Sequence, residues 1–223
     1  MVDDKTKKFL RAQIEFSINA RLLVNAWGGM APVNNNCLPF LGDDSIVFIS
    51  EDVYKKLQEI QKKTRDNKQE IPFLLYGETR GQRVVFNKID VQADGLRSTE
   101  ADFSTDMIQK LQNFIDNSKK DGSDIVAHGH SHPPLSTYYK NFSKDDLKSY
   151  MNFRFDNPEF NDKKIELCSC LLAGENFNFL FFDGNDFYKF ANVVVFDDNA
   201  QIIKKLPCYQ DEYIYNRNNQ YGM

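Results

Sequence analysis

All three histidines of this 223-residue chain fall within five positions, in the segment HGHSHPP at 128–134. They follow Asp124 to Ala127, a short apolar run that reads as a strand. Alternate side chains of an extended backbone share a face, so the tail of that strand can point His128, His130 and His132 the same way. Neutral imidazole is the commonest metal ligand, and two histidines at i and i+2 on a strand can hold one zinc. Three clustered histidines behind an apolar strand are hard to ascribe to packing.

The surrounding elements can be read in chain order. Residues 5–26 carry Phe9, Leu10, Ile14, Ile18 and Leu22 near one stripe and read as an amphipathic helix. Gly28 to Asp44, with its Gly, Asn and Pro residues, reads as a linker. This divides the chain into an N-terminal helix and linker (1–43), a main domain (44–206) and a polar, aromatic tail (207–223). Within the main domain, 45–50 is a strand, and Ser50 caps a helix from Glu51 to about Lys63. Ile71 to Tyr76 and Arg83 to Val91 read as strands joined by a turn at 78–81. Phe103 to Ser118 is an amphipathic helix, and another helix starts at Ser143. Strands are expected at about 164–172, 177–183, 187–196 and 200–205. Mixed helices and strands over this length specify one α/β, or mixed α+β, domain: a central mixed sheet flanked by helices.

Carboxylates complete the chemistry. A catalytic zinc commonly takes three protein ligands and leaves a fourth position for water. In FSKDDL (142–147), Ser143 is a good helix N-cap, with Asp145 and Asp146 in the first turn. Either aspartate could join the histidines. Plain helix capping explains Ser143 and one Asp without excluding a second role. Cys168-Ser-Cys170 lies in an apolar strand, where small buried thiols are the expected reading over a second metal site.

Read together, His130-Ser-His132-Pro133 and Ser143-Lys-Asp-Asp146 resemble the motif of the JAMM (MPN/JAB-domain) zinc metallopeptidases. That family pairs H-[ST]-H-P with a later S-x-x-D and adds a Glu from an earlier strand reading E-x-x-G-x-L-x-G. Here Glu70-Ile-Pro-Phe-Leu-Leu75-Tyr-Gly77 keeps the Glu, Leu and Gly, with Phe73 where the family often has Gly. The S-x-x-D segment comes three residues later than usual, which places an insertion within 134–142. The likeness spans about residues 45–205. It implies an MPN/JAB-like fold with zinc held by His130, His132 and Asp146, Asp145 being the fallback ligand. It also implies Glu70 as general base and Ser143 as donor to the oxyanion. Glu78 is the runner-up base, and His128 either orients a ligand or packs.

The activity implied is that of a deubiquitinase-like isopeptidase, cutting an amide bond at the C-terminus of a ubiquitin-like protein. Loops 92–102 and 154–163 resemble the insertions with which relatives hold their partner. A non-catalytic MPN-type scaffold is the alternative, although such relatives typically lack the His pair or the Glu. A RadC-like, DNA-associated protein is another, but a net charge of −4 offers no phosphate-binding footprint. A peptidase of small peptides or cell-wall material would need secretion, and the N-terminus has no apolar signal stretch. No apolar run reaches membrane-spanning length. Four scattered cysteines (Cys37, Cys168, Cys170, Cys208) suit free thiols in a reducing compartment. The expected location is the cytoplasm.

Overall fold

The computed structural model describes residues 46–80, 83–92, 103–119, 121–134, 140, 142–157, 159–182, 187–190 and 192–207. The expected N-terminal helix, the linker and the C-terminal tail lie outside the described residues, as do 93–102 and 135–139. In chain order the elements are β1 (Ile46–Ser50), α1 (Glu51–Asn67), β2 (Phe73–Arg80), β3 (Arg83–Val91), α2 (Thr105–Asp116) and β4 (Asp124–His132). Then come α3 (Lys144–Asp156), α4 (Glu159–Asp162), β5 (Glu166–Ala173), β6 (Asn176–Phe182), β7 (Phe187–Lys189), β8 (Asn192–Phe196) and β9 (Ile202–Pro207).

The nine strands found among the described residues form one mixed sheet in the order β7-β6-β5-β4-β2-β3-β1-β8-β9. β1 runs parallel to β3 and β8, and β4 parallel to β5. The other neighbours are antiparallel. The sheet is curled. Phe86 of β3 and Phe179 of β6 stack with ring centroids 5.8 Å apart, although four strand spacings separate them, about 19 Å on a flat sheet. α1 fills the hollow with Val53, Leu57 and Ile60, packed among Val47, Leu75, Phe86, Cys170, Phe179 and Val193. Ser50 caps this helix by accepting from the Val53 amide, as expected from its sequence. The other face of the sheet carries α2 and α3: Met107, Leu111, Ile115 and Tyr150 cover Leu74, Tyr76, Val126 and Leu167. The architecture is therefore mixed α/β, a curled mixed sheet with helices on both faces.

Several boundaries differ from the sequence reading. β2 continues through the supposed turn to Arg80, because Glu78 and Thr79 stay paired with Val85 and Val84. The single strand expected at 187–196 is two strands on opposite sides of the sheet, β7 against β6 and β8 against β1. Phe190 makes the break: it is buried against Phe179, and its N–H donates to the Phe179 carbonyl. The expected loop at 154–163 is largely helical, the end of α3 and the short α4, and Phe160 is buried in the core. That stretch is thus committed in part to packing.

Two glycines are dictated by close approach. β2 shifts register against β3 between Tyr76 and Gly77, and a Cβ on Gly77 would lie 1.8 Å from the Val85 carbonyl oxygen. A Cβ on Gly129 would lie 2.2 Å from the Phe73 ring, its cross-strand partner. The bulky Phe73 is therefore accommodated because position 129 has no side chain. This keeps the hollow filled directly behind the histidines.

Candidate metal centre

β4 is hydrogen-bonded on both sides, to β2 and to β5, from Ile125 as far as Gly129, and to β5 as far as His132. The strand thus extends well past the Ala127 end inferred from hydropathy and carries the whole histidine segment in extended form. Its alternation sends Ile125 and Ala127 into the hollow and Val126, His128, His130 and His132 to the opposite face. His130 Nε2 and His132 Nε2 stand 3.0 Å apart.

α3 delivers the carboxylate. Ser143 caps it: the Ser143 hydroxyl accepts from the Asp146 N–H at 3.1 Å, and the Asp146 carboxylate accepts from the Ser143 N–H at 2.5 Å. This reciprocal capping box is flanked by Phe142 and Leu147, buried together with Leu171 and Leu180 as a staple across the helix start. Asn178 Nδ2 donates to the Lys140 carbonyl at 2.9 Å, tying down the chain shortly before α3. So anchored, Asp146 places Oδ1 3.1 Å from His130 Nε2 and Oδ2 3.4 Å from His132 Nε2. Burial raises its carboxyl affinity for protons, yet the bonds and charges of His130 and His132 prevail and hold it far below the usual carboxylate range. Asp145, one residue earlier, is exposed. Capping and approach to the histidines are thus two roles of a single residue, Asp146.

Glu70 reaches the same place from the segment before β2. Carrying the register three residues beyond the Phe73–Gly129 pair sets Glu70 opposite His132. Glu70 Oε1 is 3.9 Å from His132 Nε2, and one donor atom each from Glu70, His130 and His132 lies within 4.8 Å of the others. Glu78, the other glutamate considered as base, sits opposite Asp124 and bonds Lys119 at 3.5 Å. Six residues along β4 separate Asp124 from His130, about 20 Å at the rise of a strand.

His128 shares the face of the other two histidines but packs. Its ring meets Phe103 edge-on at 5.0 Å and Phe153 at 4.8 Å, and its Nδ1 has no hydrogen-bond partner among the described residues. Burial, then the nearby His130, push it down to about 3 against the opposing pull of Asp146, so it is neutral at ordinary pH. Cys168 and Cys170 face the hollow, buried and away from the histidines. Burial and then Glu166 raise the Cys168 thiol well above its ordinary value. Both behave as small apolar residues.

The sequence reading passed over Ser131 and Thr64. Ser131 lies between His130 and His132, so its side chain points into the opposite layer. There it accepts from the Ile71 N–H at 2.9 Å and shares a 2.5 Å hydrogen bond with Thr64 Oγ1. Thr64 continues the buried stripe Val53, Leu57, Ile60 of α1, and a hydroxyl in line with that apolar stripe was the one signal available.

Glu70, His130 and His132 could together hold a metal ion, and the Asp146 carboxylate, close to both imidazoles, adds a further oxygen donor. Tetrahedral zinc with nitrogen ligands at about 2.0–2.1 Å spaces them about 3.3 Å apart, near the separations found between His130, His132 and Asp146. No helix among the described residues is long and apolar enough to cross a membrane. No protein-family model matches the chain, nor does any curated protein. Among solved structures, the solution structure of protein DSY2949 from Desulfitobacterium hafniense is similar at 14% identity. The match covers 68% of this chain and 93% of that one, with a TM-score of 0.43.

Proposed function

We propose that this chain is a zinc-dependent peptidase of the JAMM (MPN/JAB) type that hydrolyses the amide bond at the C-terminus of a ubiquitin-like protein. The observation that carries the reading is the meeting of His130, His132, Asp146 and Glu70 at one place. The fold order and the H-S-H-P, S-x-x-D and upstream Glu motifs support it further. Zinc suits two imidazoles and one carboxylate, and His130, His132 and Asp146 would hold it. Bound there, it would activate a water at neutral pH and polarise the scissile carbonyl.

The chain's own groups supply the rest. Glu70, its Oε1 3.9 Å from His132 Nε2, takes the proton of the attacking water and returns it to the leaving amine. The Ser143 hydroxyl accepts the Asp146 N–H, which leaves its own hydrogen to donate to the oxygen of the attacked carbonyl. Such a centre cleaves any amide brought to it, so selectivity lies in the surfaces around the cleft. A flexible C-terminal tail fits between such a centre and a strand edge. We place this activity in the cytoplasm, in keeping with the free, buried thiols of Cys168 and Cys170.

The test is a panel of ubiquitin-like fusions incubated with native, chelated and zinc-restored protein, with products read by mass spectrometry. Metal-dependent cleavage confined to the junction of one fusion is expected. Cleavage that survives chelation, or unstructured peptides cut as fast as fusions, would refute the reading.

A further inference from the structure

We propose that Ser131 is a positioning residue for Glu70, and that with Thr64 and the Ile71 amide it forms a three-way clamp setting the distance between Glu70 and His132. The inference rests on the reading of Glu70 as the base. The backbone explains why a clamp is needed. Pro72 has no N–H to donate, and the pairing of β2 with β4 begins only at Phe73. Glu70 therefore lies beyond the β2–β4 ladder, and two residues before the backbone bond from the Gln92 N–H to the Pro72 carbonyl at 3.2 Å. The next amide, Ile71 N–H, is satisfied by the Ser131 hydroxyl at 2.9 Å.

Ser131 can do this because it lies between His130 and His132 in the strand. The alternation that turns the two imidazoles to the cleft turns its hydroxyl the other way, toward α1. Ser131 is fully buried and Thr64 is 2% exposed, so their 2.5 Å hydrogen bond is shielded from water. One hydroxyl thus ties the histidine strand, the end of α1 and the residue adjoining Glu70. Both Glu70 and the histidine pair are referenced to the same atom. A shift of about 1 Å in a reacting group can cost about a hundredfold in rate, which gives such a tie its consequence.

The test uses the full chain loaded with Co2+ and compares wild type, Ser131→Ala, Ser131→Thr and Thr64→Val, each also in a Glu70→Gln background. One readout is amide exchange at Ile71, and the other is the pH midpoint of the cobalt visible band. Ser131→Ala should keep one metal per chain, speed Ile71 exchange about tenfold, and move the midpoint in the direction that Glu70→Gln moves it. In the Glu70→Gln background it should add no further shift, and Ser131→Thr should restore both readouts. If Ser131→Ala does not fold, Thr64→Val serves for the same comparison, with smaller changes expected. Equal midpoint shifts with and without Glu70, or unchanged Ile71 exchange, would overturn the clamp. A midpoint that Glu70→Gln leaves at the wild-type value would instead sink the reading of Glu70 as base, with Ile71 exchange still deciding whether the clamp exists.

Discussion

Glu70→Gln is expected to lower turnover about a thousandfold, within the range for loss of a positioned general base, while the protein keeps its metal. Glutamine has nearly the size of glutamate but cannot accept a proton from water. Glu70 also stands 3.9 Å from the nearer histidine nitrogen, longer than the contacts of Asp146 with either imidazole. Loss of metal in this variant would make Glu70 a ligand. Full activity in it, joined to inactivity of Glu78→Gln, would contradict the pairing of Glu78 with Asp124 at the distant end of the sheet.

Asp146→Ala should weaken zinc binding by more than the 10–100-fold typical of a lost supporting contact, because it removes a ligand. Asp145→Ala should bind zinc as wild type does. Asp146 also closes the capping box on α3, so its removal would cost about 1 kcal/mol of stability as well. Asp146→Asn separates the two effects. Its amide oxygen can still accept the Ser143 N–H and hold the helix start, but it is a poor zinc ligand. Metal content by mass spectrometry, read beside thermal unfolding, checks this: Asp146→Asn should melt near wild type and still lose zinc. Zinc loss in Asp145→Ala with retention in Asp146→Ala would contradict the orientation of α3.

Much of this centre is legible because its signals are local. The i, i+2 spacing of His130 and His132 needs only an extended backbone to bring them together, and the cap at Ser143 fixes which face of the first helical turn is Asp146. The break between β7 and β8 is not local. The run from Phe187 to Phe196 contains no turn residue beyond Asn192 and is strand-like throughout. It breaks because Phe190 has a place against Phe179 in the hollow, a place that exists only once the sheet has curled. The bond between Ser131 and Thr64 crosses 67 positions of sequence and depends on α1 ending above β4. Phe73 looks unsuited to its position until Gly129 is seen across the strand pair.

The zinc content of purified protein tests the central claim most directly, comparing wild type with the His130→Ala, His132→Ala double variant. One zinc per wild-type chain is expected from the single-site geometry, with none in the double variant and a circular dichroism spectrum that still shows a folded chain. Full metal retention without the two histidines would place the metal elsewhere and contradict the account.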